Sequence, residues 1–200
     1  MKASSKKMKT GLVLFGVAAL FAANTVWADA DYAGDTTCPA AAQTAMDATF
    51  GPGTSSITSC IAKRHNIRVA ISMSSATLNP AKGIGQTIVN VQNMVQNYEG
   101  MYGLTLHHGY DIAVVGHFAG GRFLLTDAAY NATYGVQTGN PSRTAVQALL
   151  EHGITFVMCQ NTMRANHWVT SDLIPGVQEA PAGVVALTDY GMRGWVLLTP

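Results

Sequence analysis

The chain has 200 residues, 48% of them hydrophobic and only 12% charged. That length suits one domain with a sizeable core, and once the lysine-rich start is set aside the mildly acidic remainder has no Lys/Arg cluster, which argues against a nucleic-acid partner. Four of the 12 basic residues, Lys2, Lys6, Lys7 and Lys9, precede the first acid, so residues 29–200 keep 8 basic against 11 acidic residues and carry −3.

Those lysines open a segment, 1–28, with the three parts of a secretory signal peptide. A charged start is followed by the apolar run Gly11 to Ala23, too short to span a bilayer, and by Val26 and Ala28 ahead of a cut before Asp29. The expectation is a cleaved signal, a periplasmic or secreted protein, and no membrane attachment after cleavage.

Residues 29–66 read as an N-terminal extension. It holds Cys38 and Cys60 on either side of FGPGTSS, and the third cysteine is Cys159. In an oxidising compartment a pair is expected to close, and of the three pairings Cys38 with Cys60 is favoured, tying down the extension and leaving Cys159 as the free thiol. A free cysteine is also often just a small buried hydrophobe.

From Ile67 the pattern becomes regular. IRVAISM, Ile67 to Met73, predicts a buried strand. Asn79 as cap and Pro80 at the first position predict a helix whose apolar residues Ile84, Ile88, Val91, Val95, Tyr98 and Tyr102 share one face, with Gly100 or Gly103 as its stop. DIAVVGH, Asp111 to His117, is the second strand. GGRFLLTDAAYNATYG is ambiguous between a short helix and a loop. NPSRTAVQALLEHG repeats the earlier grammar, with Asn140 as cap, Pro141 at the first position and Gly153 as terminator. ITFVM then forms a third strand that delivers Cys159, and Asn161 or Thr162 is expected to cap a short helix running to Trp168. Gly183 to Arg193 is a weaker helix, ended by Gly194, and WVLLT is the last strand.

Uniformly apolar strands alternating with helices predict an α/β fold: a three-layer sandwich around a mainly parallel sheet of four to five strands, spanning 67–200. Chemistry in such sheets gathers at the carboxyl ends of the strands. Three segments end there: SMSSATLN, GHFAGG and CQNT.

The second of these lies in VVGHFAGG, one letter from the G-x-S-x-G elbow of a serine hydrolase, but Phe118 stands where the nucleophile belongs. A phenyl ring cannot attack a carbonyl, so the glycines are read as permitting a tight strand exit with close backbone approach. His117 would line a site there or act as a structural residue. AKGIGQT, read as part of the first helix, lacks the third glycine of a dinucleotide site and any Walker order. His107 and His108 are adjacent, and so on opposite sides of a strand. No zinc-type spacing occurs, so no metal and no cofactor is expected. Cys159 is the strongest candidate, since a thiol between a parallel strand and a helix start faces N–H groups that favour thiolate. Arg164 or His167 would add positive charge if turned toward the sulfur.

At FVMCQNTMRANHW and PAGVVALTDYGMRGWVLLTP, with the long Asn/Gln-rich helix and the VVGH strand before them, the chain resembles the DsrE/DsrF-like family over most of 67–200. The resemblance implies a small three-layer α/β subunit assembled as trimers or hexamers. Its sulfur-relay members carry sulfur as a cysteine persulfide, and their cysteine matches Cys159. Two features depart from those members: this chain has an export signal, and the residues after Cys159 are less Ala/Gly-rich. The expectation is an exported DsrE-like protein in which Cys159 carries sulfur, exchanged with a donor or acceptor protein. Asn161 and Thr162 would stabilise the thiolate, with Arg164 nearby, and His117 with Ser72 or Ser74 would line the pocket. The alternatives are a non-enzymatic binding protein for a small ligand or metal, and a structural assembly subunit on the same fold.

Overall fold

The computed structural model describes residues 63–200 together with Ala48, Gly51 and Ile61. The signal segment and the expected Cys38–Cys60 disulfide lie outside the described residues.

Five parallel strands form one sheet in the order β4-β3-β2-β1-β5. Its centre is β1 (Ile67–Met73), β2 (Tyr110–Gly116) and β3 (Thr155–Cys159), apolar runs buried almost throughout. The edges are the three-residue strands β4 (Gln178–Ala180) and β5 (Val196–Leu198). β4 is the polar triplet Gln-Glu-Ala, which carries no apolar strand signal and was not anticipated.

The pleat sends alternate residues to opposite faces. One face presents Val69, Ile71, Met73, Ile112, Val114, Phe156 and Met158, all in the main core. Covering it are α1 (Gln86–Gly100), a 3-10 segment (Phe118–Leu124), α2 (Asp127–Tyr134) and α3 (Arg143–His152). The other face carries smaller residues, Ala70, Ser72, Ala113, Val115 and Val157. It is covered by α5 (Gly183–Met192), which touches all five strands. These layers make the expected three-layer α/β sandwich. No helix among the described residues is long and apolar enough to cross a membrane.

Several helix boundaries differ from expectation for one reason. Asn79 and Pro80 open a turn rather than a helix: the Asn79 Oδ1 accepts from the N–H groups of Ala81 and Lys82, and α1 begins only at Gln86. AKGIGQT therefore supplies the turn that leads into α1, and its last two residues, Gln86 and Thr87, open that helix. Asn140 and Pro141 do the same, with α3 starting at Arg143. The side chain of Asn140 is buried; its Nδ2 donates to the Phe123 and Leu125 carbonyls and its Oδ1 accepts from Ser142 N. Asn followed by Pro favours a side-chain-capped turn as readily as a helix start. His107 and His108 also sit in a turn before β2, not in a strand. The ambiguous segment resolves into the 3-10 helix and α2, the latter capped by Thr126 Oγ1 accepting from Ala129 N and ended by Gly135 at φ 65°.

The glycines of VVGHFAGG have a packing reason. A β-carbon on Gly120 would stand 2.3 Å from the Met73 carbonyl oxygen, and one on Gly116 would stand 2.6 Å from the Leu124 side chain. The 3-10 segment thus crosses the end of β1 at backbone contact, with Gly120 N donating to the Ser74 carbonyl. Phe118 takes φ 47° and is 68% exposed, a left-handed conformation that costs a bulky residue about 1–2 kcal/mol.

Candidate functional site: a buried thiol under two strand ends

Met73, Gly116 and Cys159 are the last residues of β1, β2 and β3, so the three anticipated segments do meet at one end of the sheet. Cys159 is 5% exposed and is itself the cap of α4 (Gln160–Ala165). The expected cap at Asn161 or Thr162 is therefore two to three residues late, and the helix stops at Ala165, short of Trp168. This shift brings the Asn161 and Thr162 N–H groups onto the sulfur.

Burial alone pushes the Cys159 thiol up. Hydrogen bonds from the Thr162 hydroxyl and from the backbone N–H groups of Thr162, Gly183 and Asn161 outweigh it and hold the thiol below its ordinary value of 9.0. The Thr162 hydroxyl accepts from Phe118 N at 3.0 Å, so its proton is left for the sulfur. Phe118 thus contributes its backbone N–H to the site.

Gly183, at the start of α5, was read only as the beginning of a weak helix. A β-carbon there would meet the His117 Cβ at 2.9 Å and the Cys159 Cβ at 3.4 Å. Only a glycine lets the α5 backbone approach both residues, and its N–H reaches the thiol. No local signal marks this, because the approach is made across the sheet.

His117 is 6% exposed and shares a hydrogen bond between its Nε2 and the Ser72 hydroxyl, 2.7 Å apart. Burial lowers its pKa from 6.5, which keeps the ring neutral at pH 7. Ser72 therefore positions His117. Ser74 contributes its carbonyl to Gly120, and Arg164 is exposed and bonded through its guanidinium to the Asn161 Oδ1. His167 is also exposed. Neither Arg164 nor His167 lines the cavity beside the thiol.

That cavity holds about 300 Å³. Its polar lining is His117, Cys159, Asn161, Thr162 and Asn166, and its apolar walls are Phe118, Ala165, Ala182 and Val184. Among the described residues, no group of three or more His, Cys, Asp or Glu side chains is placed to hold a metal ion. A neutral histidine, a thiolate-favouring cysteine and a ring of N–H donors make an arrangement chemically able to act as a sulfur nucleophile or to hold a small ligand.

No family model matches the chain, and no curated protein matches it. Among solved structures it is similar to a protein of unknown function, MTH1491 of Methanobacterium thermoautotrophicum, at 24% identity and a TM-score of 0.51, over 67% of this chain and 99% of that one. It also matches BT1422 of Bacteroides thetaiotaomicron, likewise of unknown function, at 15% identity and a TM-score of 0.44, over 66% of this chain and 94% of that one. The YchN protein of E. coli matches at 14% identity and a TM-score of 0.42, over 67% and 99%. The likeness to MTH1491 supports the α/β fold.

Proposed function

We propose that this is an exported DsrE-like protein whose Cys159 carries a sulfane sulfur as a persulfide. The carrying observation is the set of donors on one sulfur: the Thr162 hydroxyl and three backbone N–H groups converge on Cys159 at the floor of a cavity. A persulfide is a stronger acid than its parent thiol and is held at neutral pH as an anion, the charge state that such donors stabilise. The leader at 1–28 and the residue-level resemblance around Cys159 support the exported and DsrE-like parts of the reading.

The test is intact mass after exposure of the reduced protein to a small hydropersulfide. On a background carrying Cys38→Ser and Cys60→Ser, the chain that keeps Cys159 gains the mass of one sulfur atom and the chain with Cys159→Ser gains none; an equal gain in both would sink the reading.

A second reading draws on the apolar walls of the same cavity: a protein that retains a small apolar ligand, with Cys159 inert. Native mass spectrometry of protein isolated from its own compartment separates the two, since that reading expects a retained organic mass and no sulfur gain. We also propose self-association through α5 and β5. Val185 and Met192 on the helix and Leu197, on the strand's face toward that helix, are at least 49% exposed, apolar side chains of the sort that subunit contacts cover.

A further inference from the structure

We infer that the donor accepted by Cys159 is a small organic hydropersulfide reacting in its protonated form, R–S–SH, with an uncharged apolar organic part, and not a donor that carries a further charged group such as a carboxylate or sulfonate. This rests on the sulfur-carrier reading above and adds the chemical class of the donor.

The cavity beside the thiol is lined on its apolar side by Phe118, Ala165, Ala182 and Val184, and among the described residues no Lys, Arg, Asp or Glu lines it. The N–H groups at its floor are already spent on the Cys159 sulfur. His117, the one titratable nitrogen in the lining, is tied to Ser72 and buried. The nearest cation along the chain, Arg164, is exposed and engaged with Asn161. An anionic donor such as thiosulfate, or a hydropersulfide bearing a carboxylate, would leave water for apolar walls and meet a thiolate with no counter-charge. An uncharged R group brings no such charge and buries its own apolar surface on those walls.

The step balances without an oxidant or reductant. The Cys159 thiolate attacks the terminal sulfur of R–S–SH; the new Sγ–S bond forms as the donor's S–S bond breaks, and its electron pair leaves on R–S⁻. The S–H proton of the transferred sulfur passes to R–S⁻, giving R–SH and the Cys159 persulfide anion.

Two donors of matched reactivity test this: benzyl hydropersulfide and para-carboxybenzyl hydropersulfide, offered to the full reduced protein carrying Cys38→Ser and Cys60→Ser and to a free cysteine peptide. Loading is followed by intact mass, and each rate is divided by that of the peptide. The expected result is a preference of about ten-fold or more for the benzyl donor. Val184→Lys, at a 60% exposed position of the cavity wall, places an ammonium there and should narrow that preference several-fold by speeding the carboxylated donor. Normalised rates within about two-fold of each other would overturn the donor class and leave Cys159 a carrier. Loading from neither donor would overturn the carrier reading as well.

Discussion

At the carboxyl end of the sheet His117 is buried against a serine and beside a thiol; at the amino end His107 and His152 lie at the surface against carboxylates. His107 Nδ1 is 2.7 Å from Asp111, and His152 Nε2 is 2.9 Å from Glu99, with each partner at least one-third exposed. Tyr110 joins the second pair by donating to the same Glu99 oxygen, and burial together with that hydrogen bond pushes its phenol up. Charge is kept where water screens it and is absent from the lining of the cavity beside Cys159. With no formal charge lining the cavity, backbone N–H dipoles and one hydroxyl dominate the electrostatics of the sulfur.

The largest effect expected from this contrast is steric. Gly120→Ala would drive a β-carbon into the Met73 carbonyl at the carboxyl end, whereas Gly103→Ala at the amino end meets nothing within 4 Å and is burdened only by its φ of 65°. Urea denaturation should show a loss of about 3 kcal/mol for Gly120→Ala against about 1 kcal/mol for Gly103→Ala. Equal losses would mean that the close crossing of the 3-10 segment over β1 is not what requires Gly120.

Much of this was legible in the sequence where the signal is local and apolar. The strand bounds of IRVAISM match those of β1, and GHFAGG and CQNT are placed at the carboxyl ends of their strands because buried runs declare themselves. Cys159 was found for the same reason, being the first residue after such a run. What stayed hidden was made across space. Gly183 reads locally as an ordinary helix start, and only the packed sheet shows it touching His117 and Cys159. Arg164 was a plausible cation for the thiol by spacing, yet its helix turns it to Asn161 and solvent. Asn140 was read as a cap, while its buried amide in fact stitches Phe123 and Leu125 to the start of α3.

Thr162→Val comes next in size and acts at the carboxyl end alone. It removes the hydroxyl that donates to Cys159 and accepts from Phe118 N. The midpoint of the pH–rate profile for iodoacetamide alkylation should rise by about one unit, with thiolate at neutral pH falling roughly ten-fold. The linkage has a definite sign. A thiol lowered on folding stabilises the native state above its unfolded value of 9.0, and that contribution is lost as pH falls through the folded value. Thr162→Val should therefore lose more stability at alkaline pH than at acid pH. An unmoved midpoint would shift the credit to the backbone N–H groups.

The smallest effect belongs to the amino end and decides whether the two ends are electrically independent. Glu99→Gln keeps an oxygen for the Tyr110 hydroxyl but removes the charge facing His152, a pair in which both side chains are more than one-third exposed. Such a pair is worth less than about 1 kcal/mol and is screened by salt, so the variant's deficit in urea denaturation should be small and should shrink further at high ionic strength. The alkylation midpoint of Cys159 should stay where wild type has it, because the whole length of the sheet separates the thiol from Glu99. If Glu99→Gln moved that midpoint as far as Thr162→Val does, charge at the amino end would be tuning the sulfur, and local N–H and hydroxyl donors would not suffice to explain its thiolate.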